Sequence, residues 1–285
     1  METGKTIFVT GATGKQGSAA IRHLLQKGFI IKALTRNKQS EKARRIQQSG
    51  VEMIEGDLDE PSTYADHLNN IHGIFAVLDF IQGPKKETEQ GFDLVAAAKE
   101  KGIAHLLYSS VIGADANTGI PHWESKNKIE NLLKQSGVHH TVIRPSSFME
   151  NFLLPPVKNR LLKGKLVTPA HKKKVMQYVS TEDVGRVAAI IFSDPQSYMG
   201  KTITLAAEQM DGIQLAERFS KAFNKPIKYQ QLPGIITRLA MGRDLHMMYN
   251  WINQHDAVFV KDLEAFKKEF PGMLSLDEWI HKNFN

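Results

Sequence analysis

The chain contains no cysteine. That excludes disulfides, thiolate metal centres and cysteine nucleophiles. It also lacks any run of about 18 apolar residues, so no membrane-spanning helix is predicted. The N-terminal stretch METGKTIFVTG has no apolar core of signal-peptide length, and a cytoplasmic location is the expectation that follows. Internal repeats and low-complexity tracts are missing too. The longest basic runs, residues 42–45 and 172–174, are short and not interleaved with aromatics. Nucleic acid is therefore not an expected partner, in spite of a net charge of +7. The His139-His140 doublet has no third ligand in view, so no metal is expected.

What is present reads as a soluble globular protein. Its 285 residues are 41% hydrophobic and 24% charged. The length suits one α/β domain with a smaller lobe. The positive balance favours anionic ligands, phosphates included.

Strand-like and helix-like segments alternate over the first 145 residues. Residues 6–10, 29–35, 51–55, 73–78, 106–109 and 140–144 read as strands, and 18–26, 41–48, 62–68, 87–101 and 122–135 as helices. This rhythm predicts an α/β fold, a doubly wound parallel sheet (Rossmann fold) with helices on both faces. After Pro145 the pattern loosens, and Pro155-Pro156 interrupts it. A Rossmann domain over residues 1–150 is predicted, with residues 151–285 mainly a smaller C-terminal α/β lobe that returns segments to the sheet. Ser275 to Glu278 looks like a capping box opening a last helix.

The stretch FVTGATGKQG, residues 8–17, closes the first strand and opens the first helix. Gly11, Gly14 and Gly17 meet three needs of a phosphate-binding turn. These are unusual backbone angles, close main-chain approach to a pyrophosphate, and tight helix packing. Thr13 and Gln16 offer side-chain hydrogen bonds, and Lys15 sits at the helix start. The spacing is G-x-x-G-x-x-G rather than the G-x-G-x-x-G fingerprint, and its plainer reading is a structural tight turn. Its place between strand and helix favours a nucleotide.

The end of the second strand discriminates between dinucleotides. A carboxylate there would accept from the ribose 2′-hydroxyl of NAD. This chain has Arg36, followed by Asn37, Lys38 and Ser40. A guanidinium suits a 2′-phosphate, so the predicted cofactor is NADP (NADPH). Asp57, next to Leu58 after the third strand, is placed to accept from the adenine amino group.

With these residues assembled, the sequence resembles the NmrA-like family, a branch of the atypical short-chain dehydrogenase/reductases. The likeness rests on residues 10–17, Thr35-Arg36-Asn37, Gly56-Asp57-Leu58-Asp59, Tyr108-Ser109-Ser110, Arg144-Pro145, Phe148-Met149-Glu150-Asn151, residues 179–185 and residues 270–279. It spans nearly the whole chain and is strongest toward the family's redox-sensor members and their bacterial relatives. The resemblance implies an NADP-binding Rossmann domain and a small lobe. It places Leu78, Asp79 and Phe80 along the nicotinamide ribose and Phe148, Met149, Glu150 and Asn151 over the nicotinamide end.

Typical short-chain dehydrogenases use Tyr-x-x-x-Lys with a serine. The matching window here is His122-Trp123-Glu124-Ser125-Lys126, with histidine in the tyrosine position. Lys126 either holds the ribose or is one more exposed helix lysine. His122 is either a proton donor or a packed residue at the helix start. Ser109 or Ser110 either bonds the substrate or only closes its strand. Two functions stay open: an NADPH-dependent reductase acting on a quinone-, imine- or enone-like small-molecule acceptor, and a redox sensor acting through a regulatory protein partner. Oligomeric state is not legible.

Overall fold

The computed structural model describes residues 4–284, which group into two compact units. The first comprises the chain up to Asn117, Pro121–Arg144 and Thr181–Ile203, and the second comprises Thr118–Ile120, Pro145–Ser180 and the chain from Thr204 onward. The first unit thus regains two helices and part of a strand from the later sequence.

In chain order the first unit opens with β1 (Thr6–Val9), α1 (Lys15–Gln26), β2 (Ile30–Thr35), α2 (Glu41–Gln47) and β3 (Glu52–Glu55). It continues with β4 (Gly73–Ala76), α3 (Pro84–Glu100), β5 (His105–Ser109), α4 (Pro121–Ser136) and β6 (His140–Pro145). The chain then passes through β7 (Ser147–Phe148), α5 (Pro155–Leu162), β8 (Lys165–Thr168) and β9 (Met176–Val179) of the second unit. It returns with α6 (Thr181–Ser193), α7 (Pro195–Tyr198) and β10 (Thr202–Leu205).

The sheet order is β10-β6-β5-β4-β1-β2-β3. Pairing from β6 across to β3 is parallel throughout. The order reverses between β1 and β4, which is where an open α/β sheet leaves a crevice at its carboxyl edge. Ile7, Phe8, Val9, Ile74, Phe75, Leu107, Val142 and Ile143 are fully buried. Such unbroken apolar runs mark strands covered on both faces. Helix α1 begins three residues earlier than its apolar spacing predicts, because extended Gly14 serves as its N-cap. The segment predicted as a helix over 62–68 is two 3₁₀ turns, Pro61–Thr63 and Ala65–Leu68.

The second unit closes with β11 (Glu208–Met210), α8 (Gly212–Ala222), β12 (Lys228–Gln231), α9 (Gly234–Gln254), α10 (Leu263–Glu269) and α11 (Leu276–Phe284). Strands β11, β9 and β7 form one small sheet and β12 pairs β8 in another. Its core is aromatic: the Phe152 ring lies edge-on to Phe219 at 5.1 Å and to Trp279 at 6.2 Å. Pro155 begins α5 in the first turn, where its missing N–H is no loss, so the proline pair opens a helix instead of breaking one. The capping box ahead of α11 forms, with the Ser275 amide donating to Glu278 Oε2 at 2.8 Å and the Glu278 amide to Ser275 Oγ at 3.2 Å. Among the described residues no helix is long and apolar enough to cross a membrane.

His105 is fully buried at the start of β5. Its Nε2 lies 2.8 Å from Thr141 Oγ1, whose own proton goes to the Tyr198 carbonyl at 2.8 Å. Thr141 therefore accepts, and His105 carries its proton on Nε2. Burial, with nearby His140, His72 and His139 adding repulsion, lowers the His105 pKa to about 4. The unfolded chain then binds the proton first, so stability is full above about pH 6.5 and falls as pH drops toward 4, by up to about 3 kcal/mol. Urea denaturation across that window should show this loss in the native protein and a flatter profile in His105→Asn.

Candidate nucleotide and active site

The turn between β1 and α1 is set by how little room it has. Gly11 takes φ +59, and a Cβ there would lie 3.1 Å from the Val77 side chain. A Cβ on Gly17 would stand 2.3 Å from the Gly11 carbonyl oxygen. The third glycine thus keeps the first turn of α1 against the loop itself, more than against the strand. The Gly14 amide donates to the Gly11 carbonyl at 2.9 Å. Thr10 Oγ1 both donates to the Val77 carbonyl and accepts its amide, each at 2.8 Å, tying β1 to the chain after β4. No acidic residue occupies the first turn of α1, so its amide groups and dipole face an anion without competition. Thr13 and Lys15 lie at this rim, half-buried and exposed. The Gln16 side-chain oxygen accepts from Ser109 Oγ at 2.7 Å.

Arg36 is exposed just beyond β2 and makes no salt bridge among the described residues. It is near enough to Asp59 to help lower that carboxyl's pKa, after the larger effects of the Gln90 hydrogen bond and Lys86. Asn37 Oδ1 accepts the Gln39 amide at 2.8 Å, and the Lys38 amide approaches Glu55 Oε2 at 3.3 Å. Ser40 caps α2, its oxygen accepting the Ala43 amide at 3.3 Å. Asp57 Oδ1 accepts the Asp59 amide at 3.1 Å, with Leu58 half-buried beside it. After β4, Leu78 is buried, and Asp79 caps a 3₁₀ turn through the Ile81 amide at 2.9 Å.

The predicted catalytic trio lands at the start of α4 and the end of β5. His122 is buried, its ring 5.4 Å from that of Phe80 and 6.3 Å from that of Trp123. Lys126 is buried, not the exposed helix lysine allowed by the sequence, and its Nζ donates to Glu87 Oε1 at 2.6 Å. Ser125 Oγ donates to the other Glu87 oxygen at 2.5 Å. Glu87 has no solvent exposure and is the residue the sequence reading missed.

Ser110 lies just beyond β5. Its hydroxyl donates to Glu130 Oε1 at 2.5 Å, and the same carboxylate receives Arg144 through Nε at 3.0 Å and Nη2 at 2.5 Å. Ser110 is thereby engaged in a buried structural network, and neighbouring Ser109 points the other way, to Gln16. The tyrosine lying against Lys126 is Tyr108, with the ammonium 5.7 Å from its ring centre. Burial first, then Glu87 and Glu130, push its phenol pKa well up. A short-chain dehydrogenase acid needs the opposite shift.

Met149 and Glu150 follow β7 directly. Met149 is wholly inside the core of the second unit. Glu150 is buried there and accepts from Ser180 Oγ at 2.9 Å and Trp279 Nε1 at 3.0 Å. Their side chains are used up in packing; Phe148 is half-buried and Asn151 exposed.

A parallel sheet whose strand order reverses between β1 and β4, with a glycine-lined turn at that crossover, is a Rossmann-type α/β fold. The model of the NmrA-like family matches residues 3–280, and the chain belongs to that family. It is 29% identical to the NmrA-like family domain-containing oxidoreductase malD of Malbranchea aurantiaca, over 100% of this chain and 98% of that protein. It is also 29% identical to an NAD(P)H azoreductase of Xenophilus azovorans, over 78% of this chain and 76% of the other. The crystal structure of NmrA, a negative transcriptional regulator in complex with NADP, matches with a TM-score of 0.83 at 22% identity, covering 99% of this chain and 96% of that one.

Removing one member of a buried ion pair strands the other. Lys126→Ala should therefore lower unfolding free energy by about 3–5 kcal/mol in a denaturant titration. Lys126→Met combined with Glu87→Gln should lose clearly less. A Lys126→Ala protein as stable as the wild type would contradict the pairing.

Proposed function

We propose that this chain binds NADP(H) at the carboxyl edge of the sheet and reduces a quinone-, imine- or enone-like acceptor. The β1–α1 turn supports this most directly: its glycines leave no Cβ above the first turn of α1, so backbone amides can meet a pyrophosphate at close range. In this reading Gly11, Gly14, Gly17 and the amides near Lys15 hold the pyrophosphate. Arg36, aided by Asn37, Lys38 and Ser40, takes the 2′-phosphate. Asp57 accepts from the adenine amino group, with Leu58 beside it. Leu78, Asp79 and Phe80 border the nicotinamide ribose.

Lys126 is placed by Glu87 to direct its remaining protons, one of which suits a ribose hydroxyl. When bound, the nicotinamide supplies a hydride equivalent. The chain adds little acid of its own. Tyr108 is held protonated by its surroundings, and buried His122 packs near the rings of Phe80 and Trp123. The acceptor must then be activated by its own conjugation, and water supplies the proton. The relatives named as an oxidoreductase and an azoreductase agree with this class.

The same observations support a second reading, a redox sensor that binds the nucleotide and signals to a protein partner with little turnover. The phenol of Tyr108, held protonated beside Lys126, favours it, as does the likeness to a transcriptional regulator.

Purified protein with NADPH and a panel of quinones, dyes and enones separates the two: turnover with any member supports the reductase, and tight NADPH binding without turnover supports the sensor. Arg36→Asp should weaken NADPH binding by about 2 kcal/mol or more while changing NADH binding little. Equal losses for both in calorimetry would reject the 2′-phosphate assignment.

A further inference from the structure

The positive charge of this protein is concentrated outside the Rossmann unit. Residues 145–180 hold seven lysines and arginines and a single acid, Glu150, and so carry +6 of the net +7. Glu150 is buried and accepts from Ser180 Oγ and Trp279 Nε1.

Several of these cations converge in one place. Helix α5 ends with Arg160 and Lys163, and β8 starts two residues later with Lys165. Strand β12 runs parallel to β8 in a register that sets Lys228 directly across from Lys165 and Gln230 across from Val167. Leu166 and Tyr229 form the opposite, inward face: Leu166 is fully buried and the Tyr229 hydroxyl donates to the Ala170 carbonyl at 2.6 Å. The outward face therefore presents Lys165, Val167, Lys228 and Gln230 together. It borders a cavity of about 270 Å³ lined by Arg160, Lys163, Lys165, Val167, Gln230 and Leu232.

Arg160, Lys163, Lys165 and Lys228 make no salt bridge among the described residues. The carboxyl end of α5 accounts in part for the first two, since a helix C-terminus favours cations. It does not account for Lys165 and Lys228, like charges directly opposite on paired strands, which is a destabilising arrangement. A bound anion would relieve it.

We propose that this face of β8 and β12 binds a small organic anion. A phosphate or carboxylate head would sit among Arg160, Lys163 and Lys165 with Lys228 alongside, and a short apolar body would lie on Val167 and Leu232. The cavity is at the small end of ligand pockets, which fits a compact metabolite-sized molecule. The site needs no nucleotide and does not rest on the reductase reading.

The test is an amide NMR titration of the full chain with phenyl phosphate at about 150 mM salt, where long-range charge effects are screened. Saturable shifts centred on Lys165, Val167 and Gln230 are expected. Lys165→Glu and Lys228→Glu should each weaken binding about tenfold or more, whereas Lys173→Glu, an equal change of charge on an exposed loop residue, should alter it less than about twofold. Inorganic phosphate should bind more weakly than phenyl phosphate. Overturning results are no saturable shift, an equal loss in Lys173→Glu, phosphate binding as tightly as phenyl phosphate, or binding only to phosphatidate vesicles, which would indicate a lipid surface.

Discussion

A single contact governs the first unit: the near-touching of Gly17 and the carbonyl of Gly11. A Cβ on Gly17 would fall 2.3 Å from that oxygen, well inside any allowed approach. With hydrogen there, α1 starts after a short turn beyond β1, and the amides of its first turn lie at the sheet edge. The helix is held equally tightly along its length. A Cβ on Gly185 of α6 would lie 2.5 Å from the backbone of Ala19, and α1 itself presents only the small side chains of Ala19 and Ala20 at that level. Glycine at both contacts fixes the depth of α1, and that depth fixes where an anion can be met.

Charge in the interior is arranged with the same economy of space. Two fully buried carboxylates, Glu87 and Glu130, sit on α3 and α4. Each has one cation and one serine: Lys126 and Ser125 for Glu87, Arg144 and Ser110 for Glu130. Buried charges persist only when paired in this way. The consequence is chemical. Lysine and serine side chains that would serve catalysis in a typical short-chain dehydrogenase are partly or wholly committed, and Tyr108 between the two carboxylates is held protonated.

Local features were legible in the sequence. The glycine turn, the alternating elements and the capping box at Ser275 depend on neighbours within a few residues, and the structure shows each. Features built from distant pairs were not. Glu87 and Lys126 are 39 residues apart, and nothing in a polar helix start marks one glutamate as buried. Ser109 and Ser110 are adjacent, so the choice between them turned on which sheet face each meets, a matter of register. Glu150 read as a ligand contact because the family resemblance carried residues 148–151 over as a block, whereas Ser180 and Trp279, both remote, enclose its side chain. The cationic face of the second unit was hidden likewise, since β8 and β12 are brought together across more than fifty intervening residues.

The most direct measurement is a crystal structure of the protein grown with NADPH. The pyrophosphate should lie within hydrogen-bonding distance of the backbone amides at the start of α1, and the 2′-phosphate should contact the Arg36 guanidinium. Nucleotide density elsewhere, or a 2′-phosphate pointing away from Arg36 into solvent, would contradict the assignment.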